Sequence, residues 1–307
     1  MVGKIRLFMR VLGLSALLMV ELPLTNTAAP SIGHATQITV VFDLGGVLFN
    51  TNKRACMHEL GLTNLIRYKL FARKDPEKLK ERLYDALNRS ARGNEPLVSA
   101  CDPDGCQMPG LMCSWMTGQK QCQDIRNLIC TRIEENPNWF SSSIEQRLVR
   151  RMARMMFDPA RFAKTQKLVP DALPLVLRCK QQGHRLVVLS NWDRESFQII
   201  RKQYRHFFDL FDEIFISGDA GSMKPSPEIF QLVTRNAAAS SCIFVDNQQE
   251  NLDTAQKLGF HTVLCQSNKG SLLSAQPDLS AVERRISQLE ARLFPASSTP
   301  ANYSTAT

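Results

Sequence analysis

Several patterns that would define a protein class are missing from this sequence of 307 residues. Beyond residue 35 no apolar run approaches the roughly 20 residues that a membrane-spanning helix needs. There is no repeat of solenoid period, no zinc-finger spacing and no glycine and aromatic pattern of an RNA-binding sheet. Hydrophobic residues make up 44% and charged residues 22%, a balance that excludes a collagen-like, coiled-coil or wholly disordered chain. We therefore expect a globular protein without nucleic acid as its partner, and at about 150 residues per domain its length suggests two units.

The first 35 residues differ in character from the rest. Lys4, Arg6 and Arg10 precede the apolar run 11–20, and small residues follow it. This order is typical of a secretory signal peptide. We expect an exported chain, whether periplasmic, secreted or in the secretory pathway, with a cytoplasmic location as the alternative. Since the run is short for a bilayer, membrane contact is expected only through this segment, if it stays uncleaved.

Positive charge exceeds negative charge, and the formal net charge is +9. This excess favours a small anionic substrate, although charge speaks to association and not to fold. One basic run is dense: Arg147, Arg150, Arg151, Arg154, Arg161, Lys164 and Lys167. Such a run has a structural interpretation as a solvated helix face. The functional alternatives are an anion-attracting rim over an active site and a patch that binds a membrane surface.

Nine cysteines bear on where the chain resides. Four of them form a cluster whose members are separated by four, six and eight residues: Cys101, Cys106, Cys113 and Cys122. Structural zinc sites use shorter paired spacings, so we expect disulfides in this cluster if the chain is exported. Cys179, Cys242 and Cys265 lie in apolar elements and are predicted to be small core residues.

Strand and helix patterns alternate regularly from residue 168 onward. After an opening strand that includes Val41 and Phe42, the predicted strands are 186–190, 213–217, 242–246 and 261–265. The predicted helices are 172–182, 197–204, 227–236, 251–258 and 282–294. Repeated strand and helix of this kind implies an α/β fold, a Rossmann-like and mostly parallel sheet core with helices on both faces.

The pattern between the opening strand and residue 168 is different. Residues 52–90 and 125–156 show helical periodicity, whereas Gly, Pro, Asp and Cys interrupt the stretch between them. The expected organisation is an α/β core at 36–51 and 168–270, a helical insertion at 52–167 with a loop-rich, cross-linked segment at 91–125, and a C-terminal helix and disordered tail at 271–307.

Polar side chains stand where the predicted parallel strands end. Asp43, Ser190 and Asp246 each end a strand, and Lys224 follows another strand in a loop. Because the carboxyl ends of parallel strands share one edge, these four groups can converge although they are far apart in sequence. Taken singly, each residue has a structural interpretation as a helix cap, a turn residue or a surface lysine.

The order of four motifs resembles that of the haloacid dehalogenase-like (HAD) hydrolase superfamily. The motifs are Phe42-Asp43-Leu44-Gly45-Gly46-Val47, Leu189-Ser190-Asn191-Trp192-Asp193, Lys224-Pro225-Ser226-Pro227-Glu228-Ile229-Phe230 and Val245-Asp246-Asn247. The sequence is similar to the branch that carries an α-helical cap between the first and second motifs, which includes sugar-phosphate phosphatases. The resemblance covers residues 38–50 and 168–270, while 52–167 matches only by position, as the cap.

The resemblance implies a Mg²⁺-dependent phosphatase. Asp43 would be the nucleophile that forms an aspartyl-phosphate, and Lys224 would neutralise the phosphoryl oxygens and keep Asp43 ionised. Mg²⁺ would be bound by Asp43, the main-chain carbonyl of Gly45 and Asp246, with Asn247 beside them.

The same resemblance implies a phosphate-binding set, which comprises Gly45, Gly46, Ser190, Asn191 and Lys224. The glycines let backbone N–H groups approach the phosphate closely, and Ser190 would hydrogen-bond a phosphoryl oxygen. The expected substrate is a small phosphorylated metabolite.

Two positions depart from the family pattern. Gly45 stands where phosphatases of the superfamily usually carry a second Asp that protonates the leaving group, and general acid catalysis is typically worth about 10²–10⁴-fold. Asn247 stands where many relatives have another carboxylate, so Mg²⁺ should be held more weakly. Two alternatives therefore stay open: a 2-haloacid dehalogenase, whose halide leaving group needs no proton, and an exported binding or effector protein that kept the fold and lost turnover.

Overall fold

The computed structural model describes residues 37–71, 78–91, 107–267 and 276–293. The predictions for the N-terminal 35 residues, for Cys101 and Cys106 and for the C-terminal tail lie outside these residues. The strands are β1 Thr39–Phe42, β2 Phe49–Thr51, β3 Gln166–Leu168, β4 Arg185–Ser190, β5 Glu213–Ile216, β6 Cys242–Asp246 and β7 His261–Leu264. The helices are α1 Lys53–Leu60, α2 Leu62–Phe71, α3 Leu79–Ser90, α4 Gly110–Met116, α5 Cys122–Glu135, α6 Ser143–Met156, α7 Pro159–Lys164, α8 Ala172–Gln181, α9 Arg194–Gln203, α10 Arg205–Phe208, α11 Ser217–Ala220, α12 Pro227–Thr234, α13 Gln249–Lys257 and α14 Leu279–Leu293.

Five strands form a parallel sheet in the order β5-β4-β1-β6-β7. The predicted α/β fold is confirmed. Successive side chains of β1 alternate between two hydrophobic clusters, with Val40 and Phe42 in one and Val41 in the other. Both faces of the sheet are therefore covered, which explains why its strands read as continuous apolar runs.

The strands that follow β1 in sequence are added first on one side of it and then on the other. From β1 the chain order proceeds to β4 and β5 on one side, and then to β6 and β7 on the other. In open α/β sheets the crevice at the carboxyl ends of the strands next to such a switch point is where ligands bind. The end of β1 is thus the position that the topology marks for a site.

A short antiparallel pair of strands, β2 and β3, flanks the helical insertion at its beginning and its end. Phe49 pairs with Leu168 and Thr51 with Gln166, and helices α1 to α7 lie between these strands in sequence. We call α1 to α7 the cap. The cap has its own hydrophobic cluster, which is separate from the two clusters of the sheet. Helix starts here follow ordinary capping chemistry, since Asn52, Ser142 and Asp158 each accept a hydrogen bond from the first turn.

The prediction that residues 91–125 are loop-rich and cross-linked is wrong for the part that the structure describes. Residues 110–116 form α4, whose Leu111 and Trp115 are buried in the cap. The sequence Gly-Leu-Met-Cys-Ser-Trp-Met is short and apolar on several sides, so burial on more than one face hides the helical period.

The disulfide prediction also fails at Cys122. This residue and Cys130 are buried free thiols. The Cys122 sulfur accepts a hydrogen bond from Trp115 Nε1 at 3.1 Å, and burial is the main reason why the pKa of its thiol is raised. The prediction of buried core thiols at Cys179, Cys242 and Cys265 is confirmed.

The basic run on α6 and α7 is partly engaged within the cap. Arg150 pairs with Glu134, Arg151 Nε donates to the Glu59 carbonyl at 3.0 Å, and Arg161 pairs with the Glu59 carboxylate at 2.8 Å. Of the helices described, none is long and apolar enough to cross a membrane.

Candidate active site

Three acidic and basic side chains meet at the carboxyl ends of adjacent strands. Lys224 Nζ lies 3.0 Å from Asp43 Oδ1 and 2.6 Å from Asp246 Oδ2. Asp43 follows β1, Asp246 ends β6, and Ser190 ends β4 on the other side of β1. The structure therefore brings the predicted strand-end residues to one edge of the sheet.

Asp43 is held at the start of a tight turn. Its N–H donates to the Val245 carbonyl at 3.0 Å, which continues the pairing of β1 with β6. Oδ1 accepts a hydrogen bond from the Leu44 N–H at 2.7 Å and also faces Lys224. Both contacts use Oδ1, and among the described residues Oδ2 has no hydrogen-bond partner. Asp43 is buried, but 6% of the residue remains exposed to solvent.

Gly46 closes this turn in a conformation that favours glycine. Its φ is +78°, and its N–H donates to the Phe49 carbonyl at 2.8 Å. A Cβ at this position would lie 2.5 Å from Asn247 Nδ2, so the absence of a side chain lets the Asn247 amide pack against the turn.

Asp246 is completely buried, and both of its carboxylate oxygens accept hydrogen bonds. Oδ1 accepts from the Gln248 N–H at 2.8 Å, and Asn251 Nδ2 contacts both oxygens, at 3.2 and 3.1 Å. Burial raises the pKa of Asp246 to about 6, although Lys224 acts in the opposite direction. Asp246 therefore depends on Lys224 to remain a carboxylate near neutral pH.

Lys224 is the buried counter-charge, with 1% of the residue exposed. Burial alone would lower its pKa, but the carboxylates of Asp246 and Asp43 outweigh that effect, so its pKa is raised. The ammonium also lies 5.3 Å from the centroid of the Phe244 ring. Lys224 is consequently a cation throughout the physiological pH range.

Asn191, which the sequence places in the phosphate-binding set, contacts the lysine loop. Its Nδ2 donates to the Lys224 carbonyl at 2.9 Å, and its Oδ1 accepts from the Lys224 N–H at 2.8 Å. Both ends of the amide are thus occupied by the main chain of Lys224.

Gly45 has open space around it. A Cβ at this position would meet no atom within 4 Å. The position where the family pattern has an acid therefore carries no side chain in this protein, although there is room for one.

The site offers oxygen ligands that fit Mg²⁺. Besides Asp43 and Asp246, the buried Oδ1 of Asn247 has no hydrogen-bond partner among the described residues, and the Gly45 carbonyl lies in the same turn. Across the described ranges, no three His, Cys, Asp or Glu side chains converge on a point where a metal could bind. Two carboxylates and neutral oxygens thus form the donor set, which carries less negative charge than a three-carboxylate site.

Sequence reasoning missed two partners of the charged groups. It did not identify Asn251 as the residue whose amide holds the Asp246 carboxylate. The position of Asn251 in the first turns of α13 after Asp246 was the available signal. Nothing in the sequence marks Phe244, an ordinary strand residue, as the ring beneath Lys224.

Comparisons with known proteins identify the family of this chain. A family model described as haloacid dehalogenase-like hydrolase matches residues 39–259. Over 96 residues the chain is 34% identical to the sesquiterpene phosphatase astK of Aspergillus oryzae, a stretch that covers 30% of this chain and 48% of that protein. The chain thus spans about half the length of this curated relative.

The solved structures that this chain resembles have lower sequence identity to it than the relative from Aspergillus oryzae. An HAD family enzyme of Bacteroides thetaiotaomicron is 19% identical, with a TM-score of 0.49 over 77% of this chain and 97% of that one. A predicted phosphoglycolate phosphatase of Haemophilus somnus is 17% identical, with a TM-score of 0.40 over 76% of this chain and 86% of that one.

Replacing Lys224 with Met should destabilise the fold in a pH-dependent way. Removing one partner of a buried ion pair typically costs about 3–5 kcal/mol, and we expect a loss of this size at about pH 8. The raised pKa of Asp246 means that the folded chain binds its proton more tightly than the unfolded chain, and the loss of Lys224 strengthens this preference. Without Lys224 the pKa of Asp246 lies above its wild-type value of about 6, so the loss should shrink as the pH falls from about 8 toward 6, as measured by urea unfolding at several pH values.

Lys180 supplies the matched control, because it makes an exposed ion pair with Asp212 at 2.7 Å. Lys180→Met should change the unfolding free energy by no more than about 1 kcal/mol. Equal effects of the two substitutions, or a Lys224→Met loss that does not depend on pH, would contradict the buried charge arrangement.

Proposed function

The chain belongs to the haloacid dehalogenase-like hydrolases, and we propose that it hydrolyses phosphoric monoesters through an aspartyl-phosphate on Asp43. One observation carries the proposal: at the edge of the sheet, beside a buried cation, Asp43 has one carboxylate oxygen with no hydrogen-bond partner among the described residues. A carboxylate so placed can act as a nucleophile toward an electrophile that carries negative charge. A phosphoryl group is such an electrophile, and its developing charge is what Lys224 would stabilise.

The first step forms the covalent intermediate. Asp43 Oδ2 attacks the phosphorus atom, the bond from phosphorus to the ester oxygen breaks, and the alcohol leaves as an alkoxide that takes a proton from water. Lys224 holds Oδ1 of the nucleophile, so Oδ2 is oriented toward the substrate. The Ser190 hydroxyl and the Gly45 N–H bind phosphoryl oxygens, whereas the Gly46 N–H that the sequence also placed in this set is taken by the Phe49 carbonyl.

The second step regenerates the carboxylate. Water attacks the same phosphorus, the bond from phosphorus to Asp43 Oδ2 breaks, and inorganic phosphate leaves. Asp43, Asp246, the Gly45 carbonyl and Asn247 would hold Mg²⁺, and the bound ion would supply positive charge that neutralises the phosphoryl oxygens. Asn251 and Lys224 orient Asp246 for this task through its two oxygens.

The absence of an acid at Gly45 shapes the choice of substrate. With no positioned proton donor there, a leaving group that is stable as an anion departs faster than a poor one. We propose a small phosphate ester as substrate and include terpenyl monophosphates among the candidates, because the relative from Aspergillus oryzae is named a sesquiterpene phosphatase.

Asp43→Asn should abolish hydrolysis of an aryl phosphate such as 4-nitrophenyl phosphate in the presence of Mg²⁺. Loss of the nucleophile removes the route through a covalent intermediate, and we expect kcat to fall by at least about 10³-fold. The steady-state release of nitrophenol by the purified protein measures this. Asp209→Asn is the control, since Asp209 is an exposed carboxylate at the end of α10, and it should retain full activity.

Other outcomes of this assay identify the alternatives. Equal turnover by wild type and Asp43→Asn would refute the proposal for this site. Halide release from a 2-haloacid without metal would favour a dehalogenase. No activity of a folded wild-type protein toward either class of substrate would favour a binding or effector protein.

Gly45→Asp should restore the missing acid. The open space around Gly45 accommodates the side chain, and its φ lies outside the left-handed region. For an alkyl phosphate with a poor leaving group, we expect kcat to rise by at least about 10-fold, within the range of general acid catalysis. The aryl phosphate should respond less, because its leaving group needs little protonation.

Gly45→Asn is the matched control, since it has the same shape without an acidic proton. A gain with Gly45→Asn equal to that with Gly45→Asp, or an equal gain for both substrates, would show that the change does not act by proton transfer.

A further inference from the structure

We infer that Asn191 and Met223 are positioning residues that hold Lys224 from two sides, Asn191 from the end of β4 and Met223 through its packing in the hydrophobic cluster of the cap. This inference rests on the proposed function, because it assigns Lys224 a role in that reaction. Its consequence is that the packing of the cap sets the position of the ammonium group in the site.

The contact from the sheet side is made by one amide group. Asn191 follows the last residue of β4, and its side chain bonds both the N–H and the carbonyl of Lys224, at 2.8 and 2.9 Å. Two hydrogen bonds to one residue fix both the position and the direction of its main chain. Asn191 directly follows β4, a neighbour of β1. Its two hydrogen bonds therefore fix the Lys224 main chain relative to the sheet that also carries Asp43.

The contact from the cap side is made by the neighbouring residue. Met223 is 1% exposed, and it belongs to the hydrophobic cluster of the cap, whose other buried members all lie between Leu60 and Phe157. In sequence, however, Met223 lies between β5 and α12, within the α/β part of the chain. A close-packed apolar cluster transmits displacement, so a shift of the cap at this point would move the main chain next to Lys224.

The segment that precedes Met223 also runs along the cap, against the C-terminal end of α4. Ser217 Oγ donates to the Met116 carbonyl at 2.6 Å. Gly118 and Gly218 approach so closely that a Cβ on Gly118 would lie 2.3 Å from the Gly218 carbonyl oxygen. The segment 217–223, which includes α11, is therefore docked on the cap at both of its ends.

A lysine side chain is long, but this one has no room to compensate for a displaced main chain. Its ammonium is within 3.0 Å of two carboxylates and is completely enclosed, with Phe244 beneath it. Misplacement of a catalytic group by about 1 Å can cost on the order of 10²-fold in rate. Loosening either contact should thus lower kcat through Lys224.

A double-mutant cycle tests this coupling. Asn191→Ala and Met223→Ala should each lower kcat for the aryl phosphate by about 10- to 100-fold in the wild-type background. In a Lys224→Met background, each should change the residual rate by less than about 2-fold, because the group through which they act is gone. Met223→Leu, which keeps the apolar volume, should restore kcat to near the wild-type value.

Leu83→Ala is the control for general damage to the cap. Leu83 lies on α3 in the same hydrophobic cluster and is fully buried, so its truncation creates a comparable cavity far from Lys224 in sequence. Thermal unfolding should show that Leu83→Ala and Met223→Ala are destabilised to a similar degree, while only Met223→Ala loses kcat. If the Lys224→Met background is too slow to measure, this comparison decides alone.

Two results would overturn the inference: equal losses of kcat from Met223→Ala and Leu83→Ala, or effects of Asn191→Ala and Met223→Ala that persist unchanged in the Lys224→Met background. Failure of the proposed function has a different signature, since wild type would then lack the activity or Asp43→Asn would retain it.

Discussion

The arrangement of this protein depends on one buried cation between two carboxylates. Removing three charged groups from water is costly, and Lys224, Asp43 and Asp246 are tolerated together because each has a partner within 3.0 Å. The sheet order supplies this geometry, because β1 and β6 are neighbours and both end at the same edge. Hydrogen bonds support each of the three residues: Asn251 donates to the Asp246 carboxylate, Asn191 bonds the Lys224 main chain, and the Leu44 N–H donates to Asp43 Oδ1. The result is a site whose charged side chains are paired before any ligand arrives.

Much of this could be predicted from the sequence. Apolar runs that end in Asp43, Ser190 and Asp246 identify strand ends, and the rule that parallel strands share an edge places those residues together without any coordinates. What could not be predicted depends on contacts between distant segments. Helix α4 is apolar on several faces, so its sequence does not show the periodicity of an amphipathic helix. Met223 has no sequence feature that distinguishes it from other loop residues, although it packs in the hydrophobic cluster of the cap. Cys122 was expected to form a disulfide, yet it packs as a thiol against Trp115, which spacing alone could not reveal.

Two neutral residues, Gly45 and Asn247, give the site its individual character. Each stands where a carboxylate is common in the family, so a phosphate would meet fewer negative charges around it. Lower negative charge reduces repulsion of an anionic substrate, and it also weakens the attraction for Mg²⁺ and removes a proton donor. We therefore expect the identity of the leaving group to matter more for this protein than for relatives that carry both acids.

The covalent intermediate is the most direct measurement of the central claim. Rapid acid quench during turnover of an aryl phosphate, followed by peptide mass spectrometry, should find a hydroxylamine-sensitive phosphoryl group on the peptide that contains Asp43, at a level approaching one per active site. Burst release of the phenol should match that level. Rapid turnover with no phosphorylated Asp43 peptide, or with the phosphoryl group on another residue, would contradict nucleophilic catalysis by Asp43.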